Sequence, residues 1–408
     1  MNKLLLLLLC LPMIGFGQWE KIYQHGGGGW EVEQTLDGGY MIYGYPITKT
    51  NSFGDTLWTL PFLAKSGEQT TDGGYVFIGR YANDTNKVIK TDQSGNILWA
   101  REYRGDKIIQ TNDGGYAVIM NSCYNYMPNN QTKLQACEEL DFYKLDSVGN
   151  LLWIKTYFPE PIYGDNHGES LLQTNDGGFM IIGHGFSAGL LIKTNSQGDT
   201  LWTKTHNYIG TYNLYFNNGK QTSDGGYIIT GEAGDTINTN DYAVFLLKTD
   251  SNGNLVWFKY LSTDFGSAAF SVSQTTDGGY IITGLEENNA SGDEMLYLAK
   301  TDLNGDTIWT KKFGNPCGLG HDAKQTLDGG YIVTGGYYHC VTGATNMVLI
   351  KTNSLGTLSS IKNINLTSNN KTLLKVTDIL GRETKITKNT PLFYIYDDGT
   401  VEKKIIIE

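Results

Sequence analysis

Two short clusters in this chain carry the residue types of acid-base chemistry. Asp165, His167 and Glu169 fall in one five-residue stretch, and His321 adjoins Asp322. Carboxylates flanking an imidazole can move protons at a glycosidic bond. The same residues also suit an ordinary solvated loop, so these five stand as weak catalytic candidates. Recognition has the larger set of candidates: Tyr124, Tyr126, Tyr157, Phe158, Tyr163, Tyr208, Tyr212, Tyr215, Phe216, Tyr337 and Tyr338 all fall in connections of variable length. Tyrosines offer rigid contact area for stacking on sugars or burying peptide side chains, or they simply pin long loops. From this set Tyr124, Tyr126, Tyr163, Tyr208, Tyr212, Tyr215, Tyr337 and Tyr338 are taken as the ligand-binding residues. A Gly-flanked serine elbow, an HExxH pair and a phosphate loop are all lacking. Asp250, Asn252 and Asn254 resemble a calcium loop one residue short, a composition that a turn also wants, so no metal is expected.

What must position these groups is a repeat. The core DGG plus an aromatic recurs at Asp37, Asp72, Asp113, Asp176, Asp224, Asp277 and Asp328, each with Gln-Thr beginning three residues earlier. Asp-Gly suits a primed two-residue hairpin turn, after which runs such as YIITG climb away as strands. A second hairpin follows each copy, in which a Lys-Thr strand enters a polar Gly-bearing turn and emerges with Trp58, Trp99, Trp153, Trp202, Trp257 or Trp309. Each repeat therefore supplies four strands: A ending in Gln-Thr, B starting at the DGG aromatic, C ending in Lys-Thr, and D carrying Trp. Seven such units predict an all-β, seven-bladed propeller of four-stranded antiparallel blades. Closure separates this from a solenoid. The seventh repeat lacks its Trp strand, while an unattached WEKIY begins at Trp19, so the N-terminal strand is expected to complete the last blade and remove the open edge.

In every repeat the A–B and C–D turns keep one length, whereas the B–C and D–A connections vary. Long examples are residues 121–140, 157–168, 205–219, 232–241, 285–294 and 336–346. Both variable connections emerge at one end of a blade, so function is expected on that face, around the mouth of the central channel.

Residues 1–17 read as a signal peptide, with Lys3 before an apolar run and small residues at its end. Cys10 is preceded by Leu9 where a lipoprotein signal wants a small residue. No later stretch is apolar enough to span a bilayer. A formal net charge of −11 disfavours nucleic acid and anionic membranes as partners. Four cysteines remain after signal removal, an even number that suits disulfides in an exported chain. Cys123 and Cys137 share one insertion. Cys317 and Cys340 bracket the seventh DGG hairpin, and a turn centred between Asp328 and Gly329 would place them opposite one another.

The repeats over about residues 19–356 resemble those of secreted bacterial propeller proteins and, more distantly, the tryptophan motifs of quinoprotein dehydrogenases. No matching cofactor pocket is found among the residues, and no cofactor is expected. Residues 373–408 resemble the C-terminal sorting domain of the type IX secretion system of Bacteroidota, on Leu380-Gly381-Arg382 and the terminal Lys403, Lys404 and apolar run. That resemblance implies secretion or surface display on a Gram-negative cell, with the secretion machinery as partner. The expected organisation is a signal peptide at 1–17, a propeller at 18–358, and a linker with a small β sorting domain at 359–408. The expected protein is a monomer that binds an extracellular glycan or protein, with a surface polysaccharide hydrolase as the alternative.

Overall fold

The DGG stretch is held by its own side chains. In the computed structural model, Asp37 accepts hydrogen bonds from Thr35 Oγ1 (2.6 Å), the Gly39 N–H (2.9 Å) and Lys49 Nζ (2.8 Å). These bonds favour a type I turn with one left-handed glycine rather than the primed two-residue turn that Asp-Gly suggests: Gly38 donates to Thr35 O and has φ 81°, and the Asp is not left-handed. The second glycine is needed for space, since a Cβ at Gly39 would lie 2.1 Å from Thr50 O. All seven repeats carry the same clamp, with Lys–Asp distances of 2.8–3.0 Å and Lys side chains only 1–7% exposed. Lys-Thr of one hairpin therefore locks the turn of the other.

Clamped hairpins then close into a ring. The structure describes residues 17–24, 27–81, 85–126, 134–157, 166–185, 187–207, 211–235, 242–261, 266–288, 293–314, 317–338 and 345–358 of the propeller, and 373–378, 382–385, 391–396 and 401–405 beyond it. Blade 1 is Gly29–Gln34, Tyr40–Gly44, Ile47–Thr50 and Thr56–Leu60, from the channel outward, and the next five blades repeat that order. Blade 7 takes Gly318–Gln325, Tyr331–Tyr338 and Thr345–Thr352 from the end of the propeller, and Trp19–Tyr23 from its beginning. Trp19 lies opposite Lys351 and Tyr23 opposite Met347, which is the expected clasp.

Two sets of contacts join neighbouring blades. The Gln before each DGG accepts from the turn of the preceding blade at 2.8–2.9 Å, seven times round, with Leu327 N–H to Gln34 completing the circle. Each outer-strand Trp packs on the left-handed glycine of the next blade's outer turn, from Trp19 on Gly54 to Trp309 on Gly356. Trp19, Trp58, Trp99 and Trp309 also meet the next DGG tyrosine edge-on at 5.6–5.9 Å, a pairing worth about 0.5–1.5 kcal/mol beyond area burial. Apolar B and C strands fill the space between blades.

Two expectations change. Several long connections are strands rather than loops: Tyr116–Tyr126 pairs with Leu134–Leu145, and Thr211–Gln221 with Tyr227–Asp235. The seventh hairpin is also shifted, because its turn has a left-handed glycine and its A strand a bulge: Gly318 faces Tyr337, and Cys317 O accepts from Tyr338 N–H at 2.9 Å. Cys340, which the two-residue turn would have set opposite Cys317, lies outside the described residues.

Residues 360–408 form a separate unit. Its sheet comprises Leu373–Thr377, Pro391–Tyr396 and Val401–Ile405, with Val376, Leu392 and Tyr394 buried. Arg382 Nε binds Asp378 at 2.8 Å. Among the described residues no helix is long and apolar enough to cross a membrane.

Candidate functional site

Six of the seven inner strands break their ladder at one equivalent place. The register shifts between Gly29 and Glu31, Ala64 and Ser66, Gly168 and Ser170, Phe216 and Asn218, Ala269 and Ser271, and Gly320 and Asp322. The residues passed over are Trp30, Lys65, Glu169, Asn217, Phe270 and His321, each seven positions before the Asp of its DGG. Blade 3 has Asp106 at that position, just before the strand Lys107–Gln110, with its N–H on Ile119 O at 2.8 Å. A bulge takes a residue out of the in-out alternation and re-aims its side chain. All seven re-aimed residues line one cavity of about 580 Å³ at the variable-loop end of the channel, a size typical of ligand sites.

This ring is the part of the repeat that does not repeat. Going round from blade 6 through blade 7 to blade 1, Phe270, His321 and Trp30 form an aromatic arc with ring centroids 5.6 and 5.9 Å apart. Lys65 follows, its Nζ 5.7 Å from the Trp30 ring centroid. Asp106, Glu169 and Asn217 make the polar arc. Arg80, Lys107, Asn86, Asn121 and Glu232 complete the polar lining. Part of it is structural: Asn121 accepts from Gly168 N–H at 2.7 Å, Asp106 accepts from Asn121 N–H at 2.8 Å, and Asn217 donates to Ala269 O at 3.0 Å.

One position deeper, side chains stitch blade to blade, since inner strands share no ladder. Glu31 accepts from Gly67 N–H (3.0 Å), Ser66 from Ile108 N–H (3.2 Å), Asn218 from Val272 N–H (3.3 Å) and Asp322 from Val32 N–H (3.0 Å). Below them Glu33, Glu68, Lys220 and Lys324 surround a narrower space of about 140 Å³. Burial, reinforced by the charges of Glu33 and Glu31, pushes the Glu68 carboxyl up to about 8. Burial opposes charge on Asp322, but Lys324, Ser271 and the Val32 N–H together hold its carboxyl below the usual range.

At the mouth, burial raises Glu169 and Glu232, Glu169 against the pull of Lys107 and His167. Burial, with Lys107 and Lys65 nearby, pushes the His321 imidazole down to about 4, so it is neutral at neutral pH. A neutral imidazole both donates and accepts, and a protonatable carboxyl can donate to a ligand hydroxyl. Among the described residues no group of three or more His, Cys, Asp or Glu is arranged to hold a metal ion.

The catalytic candidates separate. Glu169 and His321 reach the mouth, whereas Asp322 lies under it in the stitching layer, also bonded to Ser271 Oγ at 2.6 Å. His167 begins the inner strand of blade 4, its ring 5.4 Å from that of His184. Asp165, Tyr163 and Tyr208 lie outside the described residues. Tyr124, Tyr126 and Tyr212 sit in strands, and their side chains are outside those described. Tyr215 meets His184 and Tyr242 at 4.9 and 6.1 Å. Tyr337 donates to Glu20 at 2.6 Å and Tyr338 to Glu294. None of these three tyrosines lines the mouth; they tie loops to the scaffold, and the aromatic surface there is supplied by Trp30 and Phe270. Trp30, Lys65, Asp106, Asn217 and Phe270 escaped sequence reasoning, although the constant spacing to DGG marks all of them.

No family model matches this sequence, and no curated protein matches it. Many solved structures are similar, two of them as follows. A protein of unknown function from Bacteroides caccae shares 13% identity over 74% of this chain and 97% of its own, with a TM-score of 0.43. A protein from Lactobacillus plantarum shares 11% identity over 84% of this chain and 98% of its own, with a TM-score of 0.47.

Proposed function

We propose that this chain is an exported propeller that binds an extracellular glycan at the channel mouth. The two-sided ring supports this reading: an aromatic arc of Phe270, His321 and Trp30 offers stacking faces, and an arc of Asp106, Glu169 and Asn217 offers hydrogen-bonding groups for hydroxyls. An array of glycans and peptides probed with the purified protein and with Trp30→Ala tests it. Glycan binding that the variant loses supports the proposal, whereas peptide binding alone would replace it with a protein-recognition role.

Hydrolysis of polysaccharide is the second reading, favoured by Glu169. Its carboxyl is raised by burial and shares the cavity with Asp106, an arrangement of general acid and second carboxylate. Release of new reducing ends by the parent protein but not by Glu169→Gln would establish it. Stoichiometric binding without turnover would exclude it.

The reading extends to traffic and redox state. The leader at 1–17 and the sorting-like tail support export to the surface of a Gram-negative cell, with release or attachment by the type IX machinery and a monomeric product. Removing residues 373–408 should strand the propeller in the periplasm, and normal appearance outside the cell would refute the sorting role. Cys123 and Cys137 face one another in register, which supports a bridge between them, and we pair Cys317 with Cys340. Non-reducing peptide mapping checks both bridges.

A further inference from the structure

Two cations at the mouth stand outside the ion pairs that hold the fold. Lys65 sits on the blade 2 bulge and Arg80 ends the strand beside it, opposite Leu63, and both are exposed and line the cavity. Among the described residues neither makes an ion pair. The contrast with the paired lysines is direct: Lys107 is tied to Glu31 at 3.2 Å, Lys324 to Asp322 at 3.3 Å, and the seven Lys-Thr lysines to their aspartates. In a chain with net charge −11, two cations outside any ion pair among the described residues stand out in this cavity from the acidic background.

Resting on the glycan reading above, we infer that the mouth selects a carboxylated sugar, a hexuronate unit, with its ring against Trp30 and its carboxylate on Lys65 and Arg80. Geometry favours this division of labour. Lys65 Nζ lies 5.7 Å from the Trp30 ring centroid, so a sugar on that ring presents its substituents to the ammonium. Arg80 adds a planar fork that suits a carboxylate. A charge-assisted hydrogen bond to a partly desolvated carboxylate is worth enough to favour the acid over its neutral counterpart by about tenfold.

The test is calorimetric titration of the full chain with oligosaccharides of galacturonate, glucuronate, mannuronate and guluronate, beside the same oligosaccharides with carboxyls reduced to alcohols. At least one acid should bind about tenfold tighter than its reduced form. That ratio should fall to near one in the Lys65→Gln, Arg80→Gln double variant. Both side chains are exposed, so unchanged thermal unfolding of the variant completes the control. Equal binding of acids and reduced forms, or binding of neutral glycans alone, overturns the inference and leaves glycan binding standing. An acid preference that survives the double variant overturns its assignment to these two residues. If no glycan of either kind binds, the glycan reading itself fails and this inference falls with it.

Discussion

The clamped turns and the channel mouth lie at opposite ends of the same inner strands and follow opposite rules. At the turns, seven blades use one solution, a Thr, an Asp, two glycines and a buried Lys in the same bonds. At the mouth, seven blades present seven different residues from one equivalent position, bulged in six of them. The fold is held where the sequence repeats, and the lining of the cavity varies where it does not. The bulge permits the separation, because a side chain outside the ladder can change without disturbing strand pairing.

The strongest way to break this contrast is to remove the clasp. Deleting residues 18–24 opens blade 7 and strips Trp19 from Gly54 and Tyr23 Oη from Gly54 O. Thermal and denaturant unfolding should register a loss of about 5 kcal/mol or more, beyond ordinary point mutations. An unchanged midpoint would mean that the ring does not depend on its closing strand.

A single clamp ranks next. Asp224→Ala leaves the Lys248 ammonium, 7% exposed, with only the Thr249 carbonyl. The expected cost is about 3 kcal/mol, since an uncompensated buried charge is what makes such breaks expensive. Equivalent changes at Asp72 or Asp277 should cost the same within about 1 kcal/mol if the seven turns are interchangeable. Widely different costs would show that the turns only look alike.

Acidity separates the two regions with opposite signs. Partial burial raises the clamp carboxyls, but bonds from Thr, Lys and the Gly N–H outweigh it and hold Asp72, Asp113 and Asp176 at about 2. Their contribution is present above the ordinary carboxylate range and is lost as pH falls toward 2. Glu68, held at about 8, contributes stability that is complete below the ordinary carboxylate range, declines as pH rises from that range to about 8, and is level above it. Glu68→Gln should flatten the decline between the ordinary carboxylate range and about pH 8 and leave the acid limb of the clamps intact. Loss of both limbs, or of neither, would contradict the assignment.

The mouth should show the smallest effect on stability. Phe270→Ala removes a half-buried ring on a bulge and should cost about 1 kcal/mol or less of stability, while weakening glycan binding about tenfold. A large stability loss with unaltered binding would place Phe270 in the scaffold instead.

Much of this was legible before any coordinates. The seven blades, the strand order and the clasp at Trp19 follow from the repeated DGG and Trp motifs, because a local pattern copied seven times leaves few ways to fold. The turn type was misread. Asp-Gly alone suggests a primed turn, and the decisive bonds come from Thr35, on the near side of the turn, and from Lys49, which belongs to the next hairpin. Length variation points to the end of the channel where the cavity opens, and Tyr337 and Tyr338, singled out there, bond to Glu20 and Glu294 rather than line that cavity. Trp30 and Lys65 were overlooked because motifs attract the eye to what is constant, and at this offset only the position is constant.

The clasp also bears on how the protein reaches its native state. Blade 7 joins residue 19 to residue 351, so it cannot form until nearly the whole propeller sequence is available. Six blades can assemble from neighbouring residues, each a local hairpin set, but the ring stays open until its two ends meet. Such a late, distant pairing raises contact order and slows folding, and meanwhile the strand Thr345–Thr352 offers an unpaired edge to other chains. Lys21 and Glu20, charged residues on the strand that covers this edge, therefore seal the place where two incomplete molecules would otherwise join.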